Sequence, residues 1–220
     1  SPGTELNGSY LGRHKFPRHP GYAAAFAVDQ VGSEVTGISK GDLYYCMGKH
    51  ASYQVADIAE ALPLPTGLDP KVAIYARLMG VSMTTLVTTS ARPPETVVVT
   101  GLGPVGCLAA QNFATNGYTV VGCDPDVERR ELASKLGIQE TVANVGDVSD
   151  AGNVALLLDC SGHEAAVVEG AKIVRKRGEV VLVGAPWARR TEMYAHDLLH
   201  TIFFKYIDLR SGWEWELPRQ

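Results

Sequence analysis

The 220-residue sequence has only four cysteines, Cys46, Cys107, Cys123 and Cys160, which lie far apart and form no C-x-x-C pair. Neither a zinc knuckle nor a disulfide framework is suggested, and small buried thiols in a reducing compartment are the simpler reading. Long apolar runs are also missing: none approaches the roughly 18 residues that a membrane span requires, and the opening SPGTELNGSYLGRHKFPRHPGY lacks the apolar stretch of a secretory signal. These absences point to a cytoplasmic protein with no membrane partner. Excess positive charge is absent as well. The formal net charge is −4 and the Lys and Arg residues are scattered, so a nucleic-acid partner is excluded. There is no internal repeat and no low-complexity segment.

What is present suits a globular chain. With 45% hydrophobic and 20% charged residues, the chain can bury a sizeable core and form one large domain or two modest ones. Its texture changes near residue 95. Residues 1–65 combine Gly, Pro and short apolar patches (YAAAFAV, YYCM) with turn signals (VGSE, TGISKGD), which predicts irregular β structure with no secure helix. DPKVAIYARLMGVSMTTLVTT at 69–89 opens on an Asp-Pro cap and repeats apolar residues at helical spacing, predicting one or two helices before the turn at RPP. From 96 onward strands are expected at 96–100, 118–123, 140–143, 154–159, 179–183 and 206–210. Helices are expected at 104–116, 126–136, 163–176 and 196–204. Such alternation implies an α/β fold, a doubly wound parallel sheet with helices on both faces.

TVVVTGLGPVG at 96–106 sits at the head of this alternation. A G-x-G-x-x-G string alone is a weak signal in a chain with 23 glycines. Here a β-branched run precedes it and a helical pattern ending in Asn-Gly follows, which is the required order of strand, turn and helix. Gly101 permits the tight turn, Gly103 lets the backbone approach a pyrophosphate, and Gly106 lets helix and strand pack closely. YTVVGCDPD then supplies a second strand ending at Asp124, whose carboxylate can accept hydrogen bonds from both adenosine ribose hydroxyls and would repel a 2′-phosphate. NAD is favoured over NADP. Arg129 and Arg130 qualify this, because a nearby Arg can accommodate that phosphate, although a solvated helix face is the simpler reading of the pair.

The order of an irregular β region, a helical hinge, VVVTGLGPVG, VVGCDPD, LLLDCSG and GEVVLVGAP resembles the medium-chain dehydrogenase/reductase superfamily over nearly the whole chain. SPGTEL is similar to a subgroup marked by S-x-G-T-E that includes the bacteriochlorophyllide hydroxyethyl dehydrogenases. PGYAAAFAVDQVGSEV and GDLYYCMGKHASYQV resemble two stretches of the family's GroES-like domain. The resemblance implies a partial GroES-like substrate domain over 1–68, a helical hinge over 69–95 and a Rossmann domain of strand order 3-2-1-4-5-6 over 96–213. It also implies the start of a return to the substrate domain over 214–220, and the chain reads as an excerpt of a longer polypeptide. The cofactor is then expected on Gly101, Gly103, Pro104, Val105 and Gly106, on Asp124 and Arg129, and on Cys160, Ser161, Gly184 and Ala185.

Where the resemblance implies zinc ligands, this sequence has Pro2, Tyr22-Ala23 and Ala76, none of which offers the thiolate, imidazole or carboxylate that zinc requires. The four-cysteine structural zinc lobe is also missing. A zinc-free member must polarise its substrate carbonyl by hydrogen bonds. Tyr22, in the place of a ligand His, can donate its phenolic proton to a developing alkoxide, or can pack with its OH on a backbone partner. His50 suits a proton relay, or a satisfied structural role. Tyr53 points elsewhere by strand period. His163, which opens a helix, fits a capping role. His14 and His19 have no ligand spacing, and His196 with His200 lacks a third ligand.

Two functions from different classes follow. One is an NAD(P)-dependent oxidoreductase moving hydride between nicotinamide and an alcohol or carbonyl substrate without catalytic zinc. The other is a nucleotide-binding relative without turnover, structural or regulatory. The final strand, within KYIDLRSGW at 205–213, is expected at the sheet edge with Ile207 and Leu209 and few blocking charges. Pairing of two such edges predicts a homodimer, the alternative being that further chain covers the edge.

Overall fold

The computed structural model describes residues 2–12 and 15–212. The chain divides into two compact units, Ser1–Leu78 and Met79–Gln220. The expected return segment 214–220, and His14, lie outside the described residues.

The first unit carries a three-stranded antiparallel sheet, β1 (Ala24–Ala27), β2 (Leu43–Cys46) and β3 (Leu62–Pro63), with β2 in the middle. Ala24 pairs with Cys46 and Ala27 with Leu43, and the register continues with Tyr45 opposite Leu62. The N-terminus departs from the expectation of β structure alone. Pro2–Glu5 is α-helical (α1) and continues as a π-helical turn over Leu6–Tyr10, closed by the Leu11 N–H on the Leu6 carbonyl. The segment is poor in helix formers, and burial of Gly8 and Ser9 rather than propensity accompanies its helicity. Asp69 caps α2 (Pro70–Ala73) as expected, accepting the Lys71 N–H at 2.8 Å with Pro70 at the first helical position. Helix α3 (Ala76–Thr88) follows, and the boundary of the two units falls within it.

In the second unit every strand is parallel. The elements are β4 (Thr96–Thr100), α4 (Pro104–Thr115), β5 (Thr119–Cys123), α5 (Val127–Lys135), β6 (Glu140–Val142), β7 (Val154–Asp159), α6 (Glu164–Ile173), β8 (Val174–Leu182), α7 (Ala195–Lys205) and β9 (Asp208–Ser211). They form one six-stranded sheet of order β6-β5-β4-β7-β8-β9, the doubly wound Rossmann order expected from the sequence. Strand alternation sorts the core into two layers. Val97 and Val99 join Cys107, Ala109 and Phe113 of α4 on one face, while Val98 joins Val167, Ala171 and Ile173 of α6 on the other. All three valines are fully buried, which explains the unbroken β-branched run.

Helix α6 ends three residues before its expected stop, because Val174 already takes extended geometry and pairs with Val154 of β7. The register then slips between Val154 and Leu156, next to Arg177 at φ +63°. At the far edge, Ile207 is 6% exposed and both it and Leu209 pack on the lower core layer. These two side chains therefore face inward rather than lining the edge, which presents Asp208 and Ser211 to solvent. Among the described residues no helix is long and apolar enough to cross a membrane.

Candidate functional site

The glycine turn follows β4. Gly101 adopts φ +80°, a left-handed value open to glycine, and the turn is tied back by the Gly101 N–H on the Cys123 carbonyl at 2.8 Å. A Cβ on Gly106 would drive into the Gly101 carbonyl oxygen, so the close packing of α4 on the turn requires glycine there. Gly103 differs: a Cβ there would meet nothing within 4 Å, and the backbone lies open to solvent-side space. Gly103 is the N-cap of α4 and Pro104 is its first residue, which leaves the first-turn N–H groups of Val105 and Gly106 without helical acceptors beside that open space. This is the arrangement that holds a phosphate diester against a helix N-terminus.

Asp124, just past β5, lies beneath the turn and is 3% exposed. Its Oδ2 accepts the Leu102 N–H at 2.8 Å and its Oδ1 the Asp126 N–H at 2.9 Å. Arg129 Nη1 stands 3.4 Å from Oδ2 on a half-exposed side chain. Arg130 is not part of a free solvated face: its Nη1 donates to the Asp124 carbonyl at 2.7 Å and to the Pro125 carbonyl at 2.9 Å. Asp126 caps α5 by accepting the Glu128 N–H at 2.9 Å.

On the other side of β4 two loops converge. A Cβ on Gly101 would come within 2.8 Å of the Ser161 backbone, and one on Gly162 within 2.5 Å of the Ala185 carbonyl oxygen. Gly184 packs equally tightly on Cys160 and Ser161. The structure thus brings Cys160, Ser161, Gly184 and Ala185 together at the carboxyl ends of β7 and β8, beside the glycine turn and at the point where strand order reverses. Burial pushes the Cys160 thiol far above its usual range, with the neighbouring Asp159 adding to the shift, and pushes Cys123 up to about 11. Neither is a ready nucleophile at neutral pH. His163 caps α6, its Nδ1 accepting the Ala165 N–H at 3.3 Å.

Asp159 was not singled out from the sequence. Its carboxylate accepts four hydrogen bonds, one from Thr100 of β4 and three from the loop after β7, and the one available signal was an ionisable residue closing the apolar run VALLL.

In the first unit, the Arg77 guanidinium lies 5.0 Å over the Tyr22 ring, a cation–π contact. Burial raises the Tyr45 phenol, against the opposing pull of Arg77. His50 is exposed, with Nε2 2.8 Å from Glu5 Oε1 and its backbone N–H donating to the Pro20 carbonyl at 2.8 Å. A Cβ on Gly21 would meet the His50 backbone nitrogen at 2.6 Å, so the residue before Tyr22 packs against His50. Tyr53 is 81% exposed. A hollow of about 640 Å³ lined by Phe26, Tyr44, Tyr53, Val55 and Ile58 takes in neither Tyr22 nor His50. In the second unit, His196 and His200 stand one helical turn apart with ring centroids at 5.9 Å. Among the described residues no three His, Cys, Asp or Glu side chains gather as a metal site.

Comparison with known proteins agrees with this geometry. The sorbitol dehydrogenase of Halalkalibacterium halodurans is 31% identical over 147 residues, which are 62% of this chain and 43% of that protein. The chain spans about half the length of the curated relatives it matches. Among solved structures, galactitol-1-phosphate dehydrogenase from Escherichia coli superposes with a TM-score of 0.82 at 20% identity, covering 96% of this chain and 72% of that one. A zinc-binding dehydrogenase from Sinorhizobium meliloti bound to NADP gives 0.77 at 19% identity, with 94% and 72% covered. The sequence profile of the zinc-binding dehydrogenases matches residues 104–213. Because that stretch takes in α4, Asp124, both converging loops and β9, and amounts to half the chain, this protein belongs to the zinc-binding dehydrogenase family.

Proposed function

We propose that the whole protein is a pyridine-nucleotide-dependent oxidoreductase acting on a small alcohol or carbonyl substrate. The observation that carries the reading is the open space over Gly103 in front of the first turn of α4. Related proteins add support: the curated relatives are named dehydrogenases, and solved relatives hold NADP or NADPH. Gly101, Gly103, Pro104, Val105 and Gly106 would hold the pyrophosphate, with the Val105 and Gly106 N–H groups offsetting its charge. Asp124 and Arg129 would face the adenosine ribose, and Cys160, Ser161, Gly184 and Ala185 the nicotinamide side. A bound nicotinamide supplies or accepts the hydride.

The preferred cofactor is NAD. Asp124 keeps a buried negative charge under the turn, and the adjacent Arg129 is already turned toward that carboxylate rather than left open to a 2′-phosphate.

The family implies zinc, but the residues at the implied ligand positions do not fit it. Pro2 and Ala76 have no donor atom, and Tyr22 has a phenol stacked under a guanidinium. In place of zinc, Tyr22 donates its hydroxyl proton to the substrate oxygen, and the cation over its ring favours the phenolate that results. His50, paired with Glu5, exchanges the proton with solvent.

Turnover tests the reading. The full-length protein is titrated with NADH and assayed by nicotinamide absorbance against alcohols, aldehydes, quinones and enones. Saturable binding with turnover is expected. Binding without turnover across the panel favours the second reading, a nucleotide-binding relative, which the missing zinc donors motivate. Failure to bind refutes both.

Assembly as a homodimer is part of the proposal. β9 is the last strand of the sheet, and among the described residues no strand pairs with its outer side. The Gly212 N–H donates inward to Leu182 at 2.8 Å, so by alternation the Ser211 N–H points away from β8. A second copy pairing there about a two-fold axis would satisfy it.

A further inference from the structure

Asp159 closes β7 and is 1% exposed. Its Oδ1 accepts hydrogen bonds from Thr100 Oγ1 at 2.8 Å, the Ser161 N–H at 3.1 Å and Ser161 Oγ at 2.6 Å. Its Oδ2 accepts the Gly162 N–H at 3.1 Å. The Asp159 carbonyl oxygen takes the Val183 N–H at 2.8 Å and the Gly184 N–H at 2.7 Å. A single residue thus joins the end of β4, the loop after β7 and the loop after β8.

The chemistry of this contact is specific. All four partners of the carboxylate are donors, and two of them are backbone N–H groups directed at different oxygens. Only an acceptor on both oxygens satisfies them, which an ionised carboxylate supplies and an amide does not. The loops it joins have no slack, since Gly101 packs on Ser161 and Gly162 on Ala185. A shift of one loop is passed to the next.

We propose that Asp159 is a positioning residue for the nicotinamide half of the cofactor. By holding residues 160–162 and 183–185 against the glycine turn, it fixes the backbone on which that half rests, while the adenosine half lies on the β5 side with Asp124. The proposal depends on the glycine turn being a dinucleotide site. It separates the two halves because the hydrogen bonds of Asp159 run to β4 and to the two loops, and none of these partners lies on the β5 side of the sheet.

Asp159→Asn is isosteric and sets an amide N–H₂ against the Ser161 or the Gly162 N–H. In the full-length protein, dissociation constants for NADH and for ADP-ribose, which lacks the nicotinamide, are measured by calorimetry, and the emission of bound NADH is recorded. NADH affinity is expected to fall about tenfold or more, the loss of one charge-assisted hydrogen bond and its geometry. ADP-ribose affinity should stay within about twofold, and the enhanced emission of bound NADH should drop toward that of the free cofactor. Thr100→Val, which removes one neutral donor and leaves three, is expected to give a smaller loss in the same direction, and it carries the test if Asp159→Asn does not fold. Equal weakening of both ligands, or an unchanged ratio of the two, overturns the positioning role. A wild-type protein that binds neither ligand overturns the dinucleotide reading itself.

Discussion

Replacing Glu179 by Gln should cost the second unit about 2–3 kcal/mol at neutral pH, the worth of one charge-assisted hydrogen bond and a partly abandoned cation. Glu179 lies in β8, is 4% exposed and has its two oxygens differently employed. Oε1 accepts from the Ser90 N–H at 2.6 Å, from Thr89 Oγ1 at 3.1 Å and from the Ser90 hydroxyl, fastening the segment after α3 to the sheet. Oε2 accepts from Arg210 Nη2 of β9 at 3.0 Å. Gln retains the first set but turns an amide N–H₂ toward the guanidinium. Breaking a fully buried ion pair costs about 3–5 kcal/mol, and the figure here is lower because Arg210 is a quarter exposed and has Asp208 Oδ2 at 4.0 Å. For a unit of this size the melting temperature should fall by about 5–10 °C.

The same site sets a pH test. Burial raises the Glu179 carboxyl, but the hydrogen bonds from Ser90, Arg210 and Thr89 outweigh it and hold the group below its ordinary value. A folded-state value below the unfolded one means that the stabilisation is complete above the unfolded value of about 4.3 and is lost as pH falls through the folded value. Scanning calorimetry of wild type and Glu179→Gln from pH 7 downward should therefore show a gap that is full at pH 7 and closes below about pH 4. A gap under about 0.5 kcal/mol at pH 7, within the range of ordinary surface substitutions, or a gap that does not change with pH, refutes the reasoning.

The unaltered protein should bind NADH more tightly than NADPH, and Asp124→Ser should narrow that preference by about tenfold or more as the like charge facing the 2′-phosphate is removed. Total affinity should also fall, because the Leu102 N–H loses its acceptor; a wild type that prefers NADPH refutes the assignment. Elemental analysis of protein purified without added metal should find far less than one zinc per chain, whereas a stoichiometric, chelator-sensitive zinc overturns the zinc-free reading. Light scattering should give a dimeric mass for the full-length protein, reduced to that of a monomer by Ser211→Pro, which removes the outward N–H of β9 and leaves the ladder to β8. A monomeric wild type refutes edge pairing. Leu209→Lys would be a poor probe, because Leu209 packs on the core.

Sequence alone determined the features that depend on neighbours along the chain. TVVVT reads as a strand buried on both faces because every position is apolar or β-branched. Asp69-Pro70 reads as a helix cap because a side-chain acceptor reaches an N–H only two residues on. The glycine spacing gave the turn and the alternation of elements gave a parallel sheet with helices on both faces, whereas the strand order was implied by the family resemblance. Tertiary structure decided what depends on partners remote in sequence. Glu179 meets Thr89 and Ser90 only because the segment after α3 is fastened against β8, and Asp159 collects donors from two strands' ends that no local period brings together. Pro2–Tyr10 is helical although its residues are poor helix formers, and Ile207 and Leu209 face the core although an edge strand exposes its backbone. The physical reason is common to these cases: periodicity and capping are set within a few residues, whereas the acceptor a buried charge requires, and the face an edge side chain takes, are fixed by which elements the sheet places side by side.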